Sequence, residues 1–176
     1  RERKKFNWDN KLTLEFNGET PRIYAVELKK VDDVPTVFLC GNSTVVDGDT
    51  DPYTSWGQMI PRFFTNQVSF ANYAESGLSA DSFQRQRRLE KILSQIKAGD
   101  WLFVEFGHND QKQKGAGKGA FYSFAYYIKI FIDEVRAKGA NPVIVTPTRR
   151  RHWSEDGKRI LDTHGDYPQA LREIAI

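Results

Sequence analysis

From residue 36 onward, short runs of apolar residues alternate with longer segments in which apolar residues recur at helical spacing. The short runs are rich in β-branched and aromatic side chains, and they predict buried strands over residues 36–40, 68–74, 101–106 and 142–147. The segments between them predict helices over residues 55–64, from Asp81 or Ser82 to Gly99, from about Ala120 to Lys138, and from Asp166 or Tyr167 onward. Strands that alternate with helices in this way predict a parallel sheet covered by helices on both faces. We therefore predict an α/β protein, a three-layer α/β/α sandwich with a flavodoxin-like parallel sheet.

Residues 1–35 follow a different pattern. Apolar and polar residues alternate over residues 12–16 and 23–28, which predicts two half-buried antiparallel strands joined by a turn at Asn17 and Gly18. Because two strands alone are marginal in water, we expect this pair to be the remnant of an upstream β-sandwich-like region, followed by a linker. The chain begins at Arg1 without a methionine, so we expect it to be part of a longer protein.

Composition narrows the classes of function. The 176 residues suffice for one sizeable domain, which we place at residues 36–176. The net charge of +3 is mild, and the basic clusters lack interleaved aromatic residues, so we expect no nucleic-acid partner. No apolar run reaches the length of a membrane span, so we expect no membrane partner. Cys40, the only cysteine, lies within an apolar strand and is predicted to be a small buried hydrophobic residue.

Three predicted strands end in a glycine and small polar residues. These ends are Gly41-Asn42-Ser43, then Ser76-Gly77, then Gly107-His108-Asn109-Asp110. The first of them, taken alone, is most simply an Asx-type turn. In a parallel sheet, however, the carboxyl ends of the strands share one edge, where ligands bind. We therefore expect Ser43, Gly77 and Asn109 to converge.

The three residue types fit the chemistry of ester hydrolysis. A serine hydroxyl can attack a carbonyl carbon, and the tetrahedral intermediate then carries negative charge on oxygen. The backbone N–H groups of Ser43 and Gly77 and the side-chain amide of Asn109 could donate hydrogen bonds to that oxygen. Donors of this kind are worth roughly 2.7–4 kcal/mol each.

These blocks resemble the SGNH (GDSL-type) hydrolase family, whose signature residues are Ser, Gly, Asn and His. Residues 41–45, 72–77 and 107–110 resemble its first three blocks in order, and the resemblance covers residues 36–176. Within the family, the residues of these blocks are most similar to those of rhamnogalacturonan acetylesterase-like members. The resemblance implies the SGNH hydrolase fold, with Ser43 as the nucleophile and Gly77 and Asn109 in the oxyanion hole.

The chain departs from the family pattern at two places. Asn42 stands where the family usually has aspartate, and we expect it to brace the turn. The Asp-x-x-His block that supplies the general base does not occur in the sequence, and loss of one triad member leaves only residual catalysis. We expect His108 to shape its loop, His152 to lie in a surface hairpin, and His164 to brace the turn after it. The simplest account is a chain that stops before a fifth strand and this block, which would make it a nearly inactive fragment.

The resemblance implies a serine carbohydrate esterase that removes acetyl groups from a polysaccharide such as rhamnogalacturonan. It implies no metal and no organic cofactor, an acetylated polysaccharide or oligosaccharide as partner, and a secreted or periplasmic location. Nothing in the sequence indicates an oligomeric state. The alternative is a non-catalytic carbohydrate-binding or scaffold module that retains the hydrolase fold, which the missing histidine block favours. Exposed aromatic residues such as Tyr53, Trp56 and Trp153 could stack on sugar rings, although helix packing explains Trp56 equally well.

Overall fold

The computed structural model describes residues 14, 16, 18–30, 33–48 and 52–175, and the chain divides into two compact units, residues 1–32 and 33–176. In the described part of the second unit, strands alternate with helices. The strands are β1 (Thr36–Cys40), β2 (Ser69–Asn72), β3 (Trp101–Glu105) and β4 (Asn141–Val145). The helices are α1 (Trp56–Met59), α2 (Ala80–Arg85), α3 (Arg88–Leu93), α4 (Ala125–Ala137) and α5 (Tyr167–Ile174). A 3₁₀ turn (Ile60–Phe63) follows α1, another (Asp110–Lys112) follows β3, and a π-helical turn (Ala120–Phe124) precedes α4.

The four strands form a parallel sheet in the order β2-β1-β3-β4, which confirms the predicted α/β class and parallel sheet. Side chains of β1 alternate between two apolar clusters, because successive residues of a strand point to opposite faces. Phe38 and Cys40 join the larger cluster with buried residues of α2 to α5, whereas Val37 and Leu39 join the smaller one, against which Trp56 of α1 packs. Helices thus cover both faces, which gives the three-layer α/β/α architecture.

The helix predicted from Asp81 or Ser82 to Gly99 is wrong in its start and its continuity. The first helix begins at Ala80, after the N-cap Ser79, and the helical path breaks at Arg87, whose φ is +59°. The break places the next side chain, Arg88, in the interior, where its guanidinium donates to the Tyr73 carbonyl oxygen at 3.0 Å and lies 3.5 Å from the Glu75 carboxylate. Burial of a charged group requires such partners, and the continuous apolar spacing does not reveal them.

The helix predicted from Ala120 to Lys138 begins with the π-helical turn, in which Tyr122 has φ −115° and ψ −111°. Its end is confirmed, because Gly139 follows α4 with a φ of +71°. Pro61 does not end the helical segment at α1. It lies in the 3₁₀ turn that follows α1 directly.

The strand predicted over residues 23–28 does not form. Residues 21–30 contain no strand or helix, and Tyr24 is 96% exposed while Ile23 is 48% exposed. An alternating pattern becomes a strand only when a partner strand supplies backbone hydrogen bonds. The partner strand that the sequence predicted, residues 12–16, lies mostly outside the described residues.

Gly41, directly after β1, is a position where only glycine fits. A Cβ at this residue would lie 2.7 Å from the Val45 Cβ and 3.1 Å from the Glu105 carbonyl oxygen, and it would also overlap the Val45 Cγ2. The missing side chain lets the chain turn back tightly toward the end of β3.

We expect Gly41→Ala to lower the free energy of unfolding by about 3 kcal/mol, because the added methyl group overlaps packed atoms. Gly99→Ala is the matched control, since Gly99 has a φ of +87° but no atom within 4 Å of the place where its methyl group would be, so only backbone strain of about 1 kcal/mol is expected. Urea unfolding of both variants measures the difference. An equal or smaller loss for Gly41→Ala would contradict the role of packing at this position.

Candidate active site

The loops that follow β1, β2 and β3 meet at the carboxyl edge of the sheet. Glu75, after β2, donates its backbone N–H to the carbonyl oxygen of Gly41, after β1, at 3.2 Å. Asn109, after β3, donates its side-chain amide to the Leu78 carbonyl oxygen at 2.9 Å. The loops that carry Ser43, Gly77 and Asn109 are therefore joined by hydrogen bonds along one edge, as the parallel sheet predicted.

Ser43 lies in a tight turn that its neighbours hold. The Asn42 carbonyl oxygen accepts hydrogen bonds from the backbone N–H groups of Val45 and Val46, both at 3.0 Å. The Asn42 side-chain oxygen accepts from the backbone N–H of Thr44 at 3.1 Å and from its hydroxyl at 3.0 Å. The Asx-type turn and the bracing role predicted for Asn42 are both confirmed. Asn42 is fully buried, whereas Ser43 is exposed.

Glu105, the last residue of β3, fastens this turn to the centre of the sheet. Its fully buried carboxylate accepts hydrogen bonds from the Thr44 hydroxyl and from the indole N–H of Trp56. Burial raises the pKa of the Glu105 carboxyl group, and the hydrogen bonds from Thr44 and Trp56 oppose that rise. Trp56 therefore braces the turn and packs in the interior instead of presenting a platform for sugar. The sequence did carry a signal for Glu105, since it is an acidic residue at the end of an otherwise apolar run.

Gly77 occupies a backbone conformation that favours glycine. Its φ is +86°, and no atom lies within 4 Å of the place where a Cβ would be. Among the residues that the structure describes, none accepts a hydrogen bond from the N–H of Gly77 or from that of Ser43. Both N–H groups are thus available to a ligand at this edge of the sheet.

The side-chain amide of Asn109 has one hydrogen bonded and one hydrogen that can still donate. One amide hydrogen is directed to the Leu78 carbonyl oxygen, while the amide oxygen accepts from the Lys112 ammonium at 2.8 Å. These bonds fix which end of the amide faces which neighbour. The second amide hydrogen has no acceptor within the described part of the chain, so it can serve a bound oxygen atom.

Asp110 anchors the loop that carries Asn109, a role that the sequence reasoning missed. The two carboxylate oxygens accept backbone N–H groups, one from Ala80 at 2.8 Å and the other from Gly107 at 2.9 Å. Burial raises the pKa of this carboxyl group to about 6, against the effect of these hydrogen bonds. Asp110 thereby ties the start of α2 to the turn after β3.

The three histidines do not form the acid–base pair of a catalytic triad. His108 and His164 face each other, with the His108 Nδ1 and His164 Nε2 atoms 3.1 Å apart. Asp162 accepts the backbone N–H of His164 at 2.9 Å and does not orient its ring. The His164 carbonyl oxygen accepts the backbone N–H of Tyr167 at 3.3 Å, which confirms that His164 braces the turn after it. His152 lies in a surface hairpin with an antiparallel bridge between Trp153 and Ile160, also as predicted.

Further predictions concern Cys40, metals and membranes. Cys40 is fully buried, and burial raises the pKa of its thiol well above the ordinary value, so the predicted role as a buried hydrophobic residue is confirmed. In the described ranges, no group of three or more His, Cys, Asp or Glu residues could hold a metal ion. None of the helices described here is long and apolar enough to cross a membrane.

Comparison with known proteins gives a consistent set of relatives. The family model for GDSL-like lipase/acylhydrolase matches residues 37–175. Rhamnogalacturonan acetylesterase RhgT of Bacillus subtilis is 41% identical over 141 residues, which cover 79% of this chain and 60% of RhgT. The probable rhamnogalacturonan acetylesterase YesY of the same organism is 34% identical over 142 residues, covering 79% of this chain and 64% of YesY. The chain thus spans less than two thirds of these relatives.

Solved structures share the fold. The structure of YxiM from Bacillus subtilis superposes with a TM-score of 0.67 at 27% identity, covering 84% of this chain and 43% of that one. A variant of Axe2, an acetyl xylan esterase from Geobacillus stearothermophilus, gives a TM-score of 0.55 at 14% identity and covers 80% of this chain and 71% of that one. At the latter identity the likeness concerns the fold alone.

We expect the histidine pair to make the fold sensitive to acid. Burial, together with the positive charges of His164, Arg150 and Lys112, lowers the pKa of His108 from 6.5 to about 4. Between these values the unfolded chain binds a proton at this site that the folded chain does not, so stability falls as pH drops from about 6.5 to about 4.

Urea unfolding across this pH range tests the effect in His108→Gln, whose stability should fall less steeply than that of the wild type. His152→Gln, in the surface hairpin, should keep the wild-type slope. If the stability of His108→Gln falls as steeply with decreasing pH as that of the wild type, the histidine pair does not contribute.

Proposed function

The chain belongs to the GDSL-like lipase/acylhydrolase family, as its motifs predicted, and on this premise we propose that it is a serine esterase that removes acetyl groups from a polysaccharide. The proposal is supported by the names of its relatives, rhamnogalacturonan acetylesterase RhgT and probable rhamnogalacturonan acetylesterase YesY. The observation that carries it is the exposed Ser43 at the sheet edge, on a loop that is hydrogen-bonded to the loop carrying Gly77.

We assign the reaction to three residues. The Ser43 hydroxyl oxygen attacks the acetyl carbonyl carbon, and the bond from that carbon to the sugar oxygen breaks. The sugar oxygen takes up the proton that Ser43 loses, so that an acetyl-serine remains. Water then hydrolyses this ester to acetate and restores the serine. The N–H groups of Ser43 and Gly77 and the free amide hydrogen of Asn109 stabilise the oxyanion in both steps, at roughly 2.7–4 kcal/mol for each donor.

None of the three histidines is proposed as the general base. The resemblance requires an Asp-x-x-His block, which the sequence does not contain. His108 and His164 bond to each other, and His152 lies in the hairpin. The pairing of His108 with His164 is the observation behind the second candidate function, a carbohydrate-binding module without turnover.

The names of the relatives support the substrate class, and the size of such a polymer supports the location. We propose an acetylated polysaccharide of the rhamnogalacturonan type as the partner. A polymer of this kind does not cross a membrane, so we also propose that the protein acts outside the cytoplasm.

Release of acetate from acetylated rhamnogalacturonan tests the function. In the protein that carries this chain, Ser43→Ala should lower the rate by a factor on the order of 10³ or more, because the nucleophile is lost. Ser94→Ala, at the end of α3, is the matched control and should keep the wild-type rate. Equal rates for Ser43→Ala and the wild type would contradict the assignment. Polymer binding without acetate release by the wild type would favour the binding module.

A further inference from the structure

Asp110, which directly follows the proposed oxyanion donor Asn109, is a buried junction of three elements. It is 4% exposed. One carboxylate oxygen accepts the backbone N–H of Ala80, at the start of α2, at 2.8 Å, and the other accepts that of Gly107, after β3, at 2.9 Å. The Asp110 carbonyl oxygen accepts the hydroxyl of Tyr167, at the start of α5, at 3.2 Å. Segments that are far apart in the chain thus meet at one residue.

Asn109 and Asp110 together hold the segment that begins with Gly77. The Asn109 side-chain amide donates to the carbonyl oxygen of Leu78 at 2.9 Å. The Asp110 carboxylate accepts the N–H of Ala80, two residues further along the chain. Two adjacent side chains of one loop therefore contact one short segment at two points. Two points fix the orientation of the segment as well as its distance, whereas a single hydrogen bond leaves it free to pivot.

Gly77 depends on such contacts for its position. Its φ is +86°, and no atom lies within 4 Å of the place where a Cβ would be, so side-chain packing does not restrain it. Leu78 donates its backbone N–H to the Glu75 carbonyl oxygen at 3.3 Å, which closes the turn around Gly77 but does not relate it to the neighbouring loop. The hydrogen bonds at Leu78 and Ala80 relate this turn to the loop that carries Asn109.

The two proposed oxyanion donors on these loops must point to one place. The N–H of Gly77 and the free amide hydrogen of Asn109 can stabilise a single oxygen atom only if both donor atoms lie about 2.7–3.1 Å from it. Displacement of such a group by about 1 Å can lower a rate by a factor on the order of 100. A carboxylate that holds both loops together therefore affects the reaction without a contact to the substrate.

The negative charge of Asp110 does not itself favour the proposed reaction. A negative charge near a developing oxyanion raises the energy of the transition state, because like charges repel. Asp110 can therefore assist the reaction only through the two backbone N–H groups that its side chain accepts. Removal of the charge and removal of one of these hydrogen bonds consequently have opposite expected effects on the rate.

We propose that Asp110 is a positioning residue that sets the N–H of Gly77 and the amide of Asn109 at the spacing that one oxyanion requires. The inference rests on the proposed function and deepens it, because it assigns a residue to the geometry of the oxyanion hole. Asp110 holds one loop at Gly107 and the other at Ala80, and each donor lies within three residues of one of these points.

Asp100, at the other end of β3, provides a matched control. Its two carboxylate oxygens also accept one backbone N–H group each, from Thr36 at 2.8 Å and from Lys97 at 2.9 Å, and it is 1% exposed. Asp100 precedes β3, so it lies at the amino edge of the sheet, opposite the proposed active site. In either aspartate, replacement by asparagine leaves one oxygen that can accept and directs an amide N–H against the second backbone N–H.

Acetate release from acetylated rhamnogalacturonan at pH 8, by the protein that carries this chain, tests the proposal. The Asp110 carboxyl group is ionised at this pH, because its pKa is about 6. We expect Asp110→Asn to lower kcat by about 10- to 100-fold and to leave KM within about twofold, because oxyanion donors act mainly on the transition state. Asp100→Asn should keep the wild-type kcat. The urea midpoints of the two variants should fall by similar amounts, because each loses the same kind of buried hydrogen bond.

Nuclear magnetic resonance reports the positions of the two donors without turnover. The backbone amide resonance of Gly77 and the side-chain amide resonance of Asn109 should both shift in Asp110→Asn and keep their wild-type positions in Asp100→Asn. Because the spectra need no substrate, a wild-type protein that releases no acetate would contradict the proposed function, while the spectra would still decide on the positioning role. The two failures are therefore distinguishable.

An unchanged kcat in Asp110→Asn would overturn the proposal, as would an equal fall in kcat in Asp100→Asn or unshifted resonances of both donors. A rise in kcat would also overturn it, in favour of an effect of the charge alone. If Asp110→Asn does not fold, Tyr167→Phe takes its place, since it removes only the hydroxyl bond to the Asp110 carbonyl oxygen. Loss of this single hydrogen bond should lower kcat by about threefold, and an unchanged kcat would overturn the proposal.

Discussion

The buried carboxylate of Glu105 is the constraint on which the arrangement of the site depends. Burial of a carboxylate is costly unless hydrogen bonds compensate for lost hydration, and the Thr44 hydroxyl and Trp56 indole provide them. Thr44 follows Ser43 directly, and Trp56 begins α1. One side chain at the end of a central strand thus holds the turn that presents the exposed serine, together with the helix on that face of the sheet.

The other two loops are held in the same manner. The guanidinium of Arg88, buried because the chain breaks at Arg87, contacts Tyr73 and Glu75 after β2. Asp110 accepts backbone N–H groups from Gly107 and Ala80 and so joins the turn after β3 to the start of α2. Each loop at the carboxyl edge therefore depends on a buried charge with specific partners. Such interactions are directional, whereas apolar packing alone would leave the loops less sharply positioned.

The sequence predicted the sheet well because strand-forming runs and glycine-containing ends are local signals. It also predicted that Ser43, Gly77 and Asn109 lie along one edge, since that follows from parallel strands alone. It did not reveal Arg88 or Asp110 as anchors, because the sequence alone does not show whether a charged residue is buried or exposed. For Glu105 it gave only an indirect signal, an acidic residue at the end of an apolar run. Proximity along the chain was a poor guide to ring contacts, since His164 faces His108, 56 residues away, and uses Asp162 only for its backbone.

The central claim is that Ser43 is the nucleophile at the edge where these loops meet. The most direct measurement is the mass-spectrometric mapping of the protein that carries this chain after treatment with a phosphonate ester, which forms a stable covalent bond with an activated serine. We predict one adduct, on the peptide containing Ser43, and its loss in Ser43→Ala. An adduct on another serine, or equal labelling of wild type and Ser43→Ala, would contradict this assignment.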